Sequence, residues 1–286
     1  MKTLITAHSG ADHTEENSVG FLRHAFVTAA DAVEVDVRMV AGELVLAHDG
    51  VEETGKCDRG TGTLTHFSSG SVEPSESAEK CVSVPVPLSH FSVTLKQAFT
   101  MLQEDRSGKR INCDLKEHGL ERPVYDLAVE AGVAERILYT GSVGVERMRA
   151  EGLLGKVEVY LNIEEAVPTL RTMWEAGDRC EELRGRSECP PVTSNKRTVP
   201  LTHYYKQACE VCVDAGIRVL NVPKEIVDET FCEILKEYGV QASVWTVDDV
   251  EEAQRFARWP QVVNITTRNV AEMTKGTGPN VTLGSR

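Results

Sequence analysis

The chain has 286 residues, which suffices for one large domain such as an eightfold α/β barrel of roughly 250 residues. Hydrophobic residues make up 41% of the sequence and charged residues 26%, which excludes a disordered or fibrous protein. The formal net charge of −13 argues against nucleic acid as a partner, because proteins that bind a phosphate backbone carry a basic surface. A small anionic substrate is not excluded, since a bound cation can reverse the local field.

No stretch of the sequence reaches the length of a membrane-spanning helix, and the first residues lack the apolar core of a secretory signal. We therefore expect a cytoplasmic protein without a stable membrane anchor, whose eight cysteines are reduced thiols. Cys209 and Cys212 form a C-x-x-C pair, with Cys180 and Cys189 upstream. The pair lies in a helical pattern whose spacing matches no common zinc site, so packed thiols are favoured over bound zinc.

Eight short apolar or β-branched runs follow one another along the chain, and each predicts a β-strand. The runs are TLITAH (3–8), AVEVDV (32–37), RINCDLK (110–116), RILYTG (136–141), VEVYLNI (157–163), RVLNVP (218–223), QASVWTV (241–247) and VVNITT (262–267). Most are separated by a segment with helical periodicity, such as VTLKQAFTMLQED or DETFCEILKEYG. This alternation predicts a (β/α)8 TIM barrel, formed by a single domain over residues 1–286. The alternative, a doubly wound open sheet, needs fewer strands and a phosphate-binding loop that we do not find.

Two segments interrupt the alternation of strands and helices. Residues 49–92, after the second strand, are polar and rich in Gly, Ser, Thr and Pro, which predicts an inserted loop or small subdomain. Residues 177–200, between the fifth and sixth strands, predict a surface excursion to which we assign no function.

Reactive side chains are concentrated at the ends of the first three predicted strands, where a barrel of this type carries its active site. The first strand ends at His8. The second carries Glu34 and Asp36, two positions apart and therefore on one face of the strand. The third carries Asp114 and Lys116 with the same spacing. These side chains are expected to converge at one corner of the barrel mouth.

Three carboxylates at one barrel mouth predict a metal site. A hairpin-like segment, GELVLAHDG, brings His48 to the same corner. Buried carboxylates repel one another and lose hydration unless a cation neutralises them, and oxygen ligands favour Mg²⁺ or Ca²⁺ over zinc. An isolated Glu-x-Asp is more often a solvated face or a salt-bridge partner. The prediction depends on all these features falling in order in one corner of one fold.

The same residues belong to a series of short motifs that resembles the signature of the glycerophosphodiester phosphodiesterase family. The motifs are AHSG (7–10), EEN (15–17), VEVDV (33–37), LAHD (46–49), VTLKQAF (93–99), CDLK (113–116), SVWTV (243–247) and NITTRN (264–269). The family pattern reads roughly His-Arg-Gly, Pro-Glu-Asn, Glu-x-Asp and His-Asp, followed by Glu-x-Lys and Trp-Thr. The resemblance extends over about residues 3–274, and its first half is the specific part.

The resemblance implies a metal-dependent phosphoric diester hydrolase with a TIM-barrel fold. Its substrates would be small glycerophosphodiesters, and its products sn-glycerol 3-phosphate and an alcohol. By resemblance, Glu34, Asp36 and Asp114 hold the divalent cation, Mg²⁺ or Ca²⁺. His8 and His48 are then the general base and the general acid, in an order that the sequence leaves open.

Further positions are implied to contact the substrate or to shape its pocket. By resemblance, Lys116 contacts the phosphate, and Glu16 with Asn17 forms the wall beside the metal. Asn17 alternatively caps the first helix. Trp245 lines the pocket for the alcohol, or else only packs in the barrel.

Two departures from the family pattern leave the substrate open. Ser9 stands at the substrate-binding position where the family has an arginine that grips a phosphate oxygen, and Asp114 stands where a glutamate is usual. Loss of such an arginine would weaken phosphodiester binding on the order of a hundredfold. The alternatives are a phospholipase D-type enzyme acting on another phosphodiester or a lipid headgroup, and a barrel that only binds a phosphorylated ligand. The oligomeric state is not predicted.

Overall fold

The computed structural model describes residues 2–49, 93–173 and 201–275. The strands of this part are β1 (Leu4–Ala7), β2 (Ala32–Val40), β3 (Glu43–Leu46), β4 (Arg110–Leu115), β5 (Ile137–Gly141), β6 (Glu158–Asn162), β7 (Val219–Pro223), β8 (Gln241–Trp245) and β9 (Val262–Thr267). All strands except β3 are parallel, and the sheet closes because β1 pairs with both β2 and β9. The order around the barrel is β1-β2-β4-β5-β6-β7-β8-β9, which confirms the predicted (β/α)8 TIM barrel.

The predicted strands correspond one to one with the barrel strands. The hairpin-like segment after the second strand is β3, which runs antiparallel to β2 with Leu46 opposite Val37. Asp49 is the last residue described before residue 93. The rest of the predicted insertion at 49–92, and the whole of the predicted excursion at 177–200, lie outside the described residues.

Helices connect the strands on the outside of the barrel. They are α1 (Val19–Val27), α2 (Leu95–Glu104), α3 (Glu121–Glu130), α4 (Val145–Ala150), α5 (Ile163–Ala166), α6 (Leu201–Ala215), α7 (Glu229–Tyr238), α8 (Val250–Phe256) and α9 (Val270–Met273). Several begin at a side chain that accepts a hydrogen bond from the first turn, namely Ser18, Thr94, Asp228 and Asp249. None of the helices in the described part is long and apolar enough to cross a membrane.

Alternation along the strands separates an apolar outer face from a polar inner face. On β2, Val33, Val35 and Val37 are fully buried in the layer beneath the helices, whereas Glu34 and Asp36 lie on the opposite face. The largest apolar side chains that the helices bury in this layer include Phe21, Phe99, Phe231 and Phe256. The apolar layer therefore supports the barrel from outside and leaves the inner face free for polar groups.

Hydrogen-bonded polar side chains fill much of the barrel interior. Asn264 on β9 accepts a hydrogen bond from Thr6 Oγ1 at 2.9 Å and donates one to Ser243 Oγ at 2.9 Å. Across the barrel, Thr140 Oγ1 donates to Asn112 Oδ1 at 3.0 Å. Because these groups are buried, each bond fixes the position of a side chain and ties neighbouring strands together. These hydrogen bonds between neighbouring strands therefore hold the strands that form the mouth of the barrel in fixed positions.

Replacing Asn264 by alanine should lower the free energy of unfolding by about 2 kcal/mol or more, because the buried hydroxyls of Thr6 and Ser243 lose their partner. Urea denaturation measures the effect. The matched control is Val27→Ala, whose side chain is 82% exposed and whose replacement should change the value by less than about 0.5 kcal/mol. Equal midpoints for the two variants would contradict the role of the interior network.

Candidate active site

A cavity of about 370 Å³ opens at the carboxyl end of the barrel strands. The predicted site residues that line it are His8, Glu34, His48, Asp114, Lys116 and Trp245. The parallel pairing of β2 with β4 places Asp36 directly opposite Asp114. Asp36 is fully buried and does not itself line the cavity. Its carboxylate pairs with Lys116, which does line the cavity. The structure therefore brings together the side chains that the strand ends predicted.

Lys116 bridges two of the three carboxylates. Its ammonium lies 2.8 Å from Asp36 Oδ1 and also donates to Asp114 Oδ2. Burial alone would lower the pKa of Lys116, but the charges of Asp114 and Asp36 raise it above its ordinary value. Burial likewise opposes ionisation of Asp36, yet the Lys116 ammonium and the Asn17 amide hold its pKa below the ordinary value. Part of the charge that suggested a metal is thus neutralised by a lysine of the protein itself.

Glu34 is the carboxyl group of the three that does not pair with Lys116. Its Oε2 accepts a hydrogen bond from Asn112 Nδ2 at 3.1 Å, and its Oε1 lies 3.7 Å from His8 Nε2. Burial, and then repulsion by Asp114 and Asp36, raise the pKa of Glu34 well above its ordinary value. A proton or a second cation is needed to balance this group.

The donor chemistry of the three carboxylates fits a divalent cation. The two aspartates share the single ammonium of Lys116, so the cluster keeps an excess of negative charge, and hard oxygen donors bind Mg²⁺ or Ca²⁺. In residues 2–49, 93–173 and 201–275, however, no group of three or more His, Cys, Asp or Glu side chains is arranged to hold a metal ion. We infer that Lys116 would have to release an aspartate before such an ion could bind.

His8 follows β1 and is held in one tautomer. Its Nδ1 lies 2.7 Å from the carbonyl oxygen of Ser9, which can only accept, so Nδ1 carries the proton and Nε2 is the acceptor. Arg268 Nη2 lies 3.4 Å from this Nε2. Burial, and secondarily the charge of Arg268, lower the pKa of His8 below its ordinary value of 6.5. His8 is therefore a neutral imidazole with its acceptor nitrogen at the cavity.

His48 is positioned from β2. Arg38 Nε and Nη2 both donate to the carbonyl oxygen of His48, at 3.0 and 2.8 Å, and so fix the backbone where β3 ends. The imidazole is 57% exposed, and its Nδ1 lies 3.1 Å from Asp49 Oδ1. The two histidines thus line the same cavity in different environments, one half-buried and one open to solvent.

Ser9 does not contact the cavity, which corrects the prediction that it binds substrate. Its side chain is fully buried, and its Oγ accepts a hydrogen bond from the backbone N–H of Asn17 at 2.9 Å. Asn17, at φ 53°, donates from Nδ2 to Asp36 Oδ2 at 2.7 Å and accepts from the Asp36 N–H at 3.0 Å. The helix cap is Ser18, whose Oγ accepts from the Phe21 N–H, so the capping alternative for Asn17 is wrong. Ser9 and Asn17 therefore form a hydrogen-bonded chain that holds Asp36 in position.

Glu16 also lies away from the lining of the cavity. The residue is exposed, and its Cγ packs so closely against Gly10 that a Cβ on this glycine would lie 2.6 Å away. Gly10 has φ 79°, a conformation that a side chain would strain further. The predicted contact of Glu16 with substrate is therefore not supported by its position.

The sequence analysis did not predict several polar and charged residues that line the cavity. They include Asn162, Glu164, Arg171, Asn221 and Arg268. Asn162 accepts from Asn221 Nδ2 at 2.9 Å and donates to Glu164 Oε1 at 2.9 Å, and burial raises the pKa of Glu164. Asn162 is the last residue of β6, Asn221 lies within β7 two residues before its end, and Arg268 follows β9. The rule that found the first three strand ends would have found these positions as well.

Cys209 and Cys212 lie on α6 as buried thiols. Burial raises the pKa of Cys209 to about 12, which disfavours the thiolate that zinc requires. Cys180 and Cys189 lie outside the described residues.

Comparison with known proteins finds similarity in three-dimensional structure only. No family model matches the chain, and no curated protein matches it significantly. A glycerophosphodiester phosphodiesterase from Parabacteroides distasonis matches with a TM-score of 0.59 and 18% identity, covering 96% of both chains. One from Agrobacterium tumefaciens matches at 0.55 and 17%, covering 96% of this chain and 99% of its own. An Oleispira antarctica phosphodiesterase in complex with the product sn-glycerol-3-phosphate matches at 0.58 and 15%, covering 96% of both chains.

What these proteins share with the chain is the barrel fold. Identities of this size establish no more than that. Glycerophosphodiester phosphodiesterases are nevertheless the structural neighbours that the sequence motifs had indicated.

Replacing Lys116 by methionine should destabilise the protein by about 3–5 kcal/mol at pH 7 with divalent cations chelated, because Asp36 and Asp114 are left unpaired. The bridge holds the pKa of Asp36 low, so its contribution is present above the unfolded pKa of Asp36 and is lost as the pH falls through the folded value. The destabilisation should therefore shrink below about pH 4.

Urea denaturation at both pH values measures this difference. Lys96→Met is the control, because Lys96 pairs with Glu130 at 3.3 Å on the surface and should contribute less than about 1 kcal/mol. A loss at pH 7 no larger than that of the control would contradict the bridging role of Lys116.

Proposed function

We propose that the protein is a metal-dependent glycerophosphodiester phosphodiesterase, which hydrolyses small glycerophosphodiesters to sn-glycerol 3-phosphate and an alcohol. The observation that carries the proposal is the placement of two histidines, in contrasting environments, on one cavity with Glu34, Asp114 and Lys116. The likeness in fold to phosphodiesterases, one of them in complex with sn-glycerol-3-phosphate, supports it.

His8 is suited to the role of general base. Its Nε2 is the acceptor nitrogen, and the lowered pKa keeps the ring neutral near neutral pH. The group that loses the proton is a water molecule or a hydroxyl of the substrate itself. In the second case a cyclic phosphate forms first and is hydrolysed in a later step.

His48 is suited to the role of general acid. Asp49 Oδ1 lies 3.1 Å from its Nδ1 and accepts a hydrogen bond there, which leaves Nε2 to give a proton to the leaving alkoxide. Because the ring is exposed, solvent can restore the proton after each turnover. The opposite environments of His8 and His48 are the reason for this assignment.

The carboxylates and Lys116 act on the charge of the phosphodiester. Glu34, Asp36 and Asp114 would hold Mg²⁺ or Ca²⁺, which when bound supplies positive charge for a non-bridging phosphate oxygen. Lys116, once it releases an aspartate, contacts the phosphate from the same side. Trp245 lines the cavity and offers an apolar face to the alcohol.

The decisive assay measures release of glycerol 3-phosphate from a panel of glycerophosphodiesters, first with a chelator and then with Mg²⁺ or Ca²⁺ restored. We expect release that depends on the cation and falls by about 10²–10⁴ in His8→Ala and in His48→Ala. His203→Ala is the control, because His203 is exposed on α6 and does not line the cavity. Wild-type turnover in either of the first two variants, or no release from any diester, would refute the proposal.

The lowered pKa of His8 predicts the acid side of the pH profile. A base must be unprotonated to act, and burial together with Arg268 keeps His8 unprotonated to lower pH. The acid limb of kcat/KM should therefore have its midpoint below 6.5, the ordinary pKa of histidine. Initial rates measured from pH 4 to pH 9 locate this limb. A midpoint above 7 would contradict the role of His8 as a neutral base.

A further inference from the structure

The position after His8 carries a buried serine, yet a guanidinium lies beside His8 at the cavity. It belongs to Arg268, directly after β9. We propose that Arg268 is the residue that binds the phosphate group, and that its guanidinium turns from His8 to a non-bridging oxygen when the phosphodiester enters. This inference rests on the proposed function, because it assigns a phosphate contact for that reaction.

The backbone of Arg268 is held firmly while the tip of its side chain is held weakly. Its N–H donates to Asp248 Oδ1 at 2.7 Å, and the preceding carbonyl, of Thr267, accepts from the His8 N–H at 2.9 Å. The guanidinium lies 3.4 Å from His8 Nε2 and 3.9 Å from Asp248 Oδ2, and the side chain is 50% exposed. The base of the side chain is therefore fixed next to the reacting groups, and its donors are available to a better acceptor.

The other permanent cations that line the cavity in the described part of the chain are already paired. Lys116 lies between Asp36 and Asp114. Arg171 donates to Glu165, whose side chain is 10% exposed. Arg268 is thus the cation whose partners compete least with an incoming phosphate.

The chemistry of the guanidinium explains why phosphate would displace His8. A planar guanidinium binds two phosphate oxygens at once through charge-assisted hydrogen bonds, which are about twice as strong as its single long bond to a neutral imidazole. When Arg268 turns, Nε2 of His8 loses the donor that faces it. Binding of the substrate would then position the phosphate and uncover the base in one movement.

The test compares Arg268→Ala and Arg268→Lys with Arg171→Ala, an arginine on the same cavity that is paired to a carboxylate. Equilibrium binding of inorganic phosphate and of sn-glycerol 3-phosphate is measured by calorimetry, with Mg²⁺ or Ca²⁺ at saturation. We expect Arg268→Ala to weaken both affinities on the order of 10- to 100-fold, and Arg268→Lys to restore part of the loss. Arg171→Ala should change them less than threefold.

Turnover of glycerophosphodiesters by the same variants separates the two proposals. An Arg268-dependent phosphate affinity in a wild-type protein that hydrolyses no diester would support the role of Arg268 and refute the enzymatic function. Hydrolysis by the wild type together with unchanged phosphate affinity in Arg268→Ala would support the enzymatic function and refute the role of Arg268. Equal losses in Arg268→Ala and Arg171→Ala, or no binding of phosphate by the wild type, would also overturn the assignment of Arg268.

Discussion

Three carboxylates meet at the mouth of a closed barrel, and their mutual repulsion governs the arrangement of the groups around them. Lys116 places one ammonium between the carboxylates of Asp36 and Asp114, while Glu34 lies outside this bridge and holds its proton more tightly than an ordinary glutamate. Asn112 and Asn17 add hydrogen bonds that keep these carboxyl groups in place. With one ammonium for two aspartates, the site keeps an excess of negative charge, which a divalent cation would balance.

Closure of the barrel determines which groups meet His8. Because β1 pairs with β9, Ala7 lies opposite Thr267, and residues 260 positions apart in sequence become neighbours at the cavity. His8 acquires its guanidinium neighbour Arg268 in this way, from the last strand rather than from the position that follows it in the chain. Closure of the barrel thus brings a guanidinium to the cavity from a strand end that is distant from His8 in the sequence.

In the loop between β1 and α1, the buried hydroxyl of Ser9 positions a residue that in turn holds a carboxylate of the site. The Ser9 hydroxyl accepts from the Asn17 backbone, and Asn17 grips Asp36 through both its side-chain oxygen and its nitrogen. An arginine at position 9 would place a long cation where a fully buried side chain now packs. In this chain the side chain at position 9 fixes the loop that holds a carboxylate and does not line the cavity.

The sequence by itself determined the features that depend on local periodicity. Strand–helix alternation predicted the eight parallel strands, and spacings of two residues placed Glu34 with Asp36, and Asp114 with Lys116, on the inner face. The tertiary structure alone decided that Ser9 is buried, that Lys116 bridges two aspartates, and that Arg268 faces His8. Each of these depends on contacts between segments far apart in the chain, and local periodicity carries no information about which strand ends will meet.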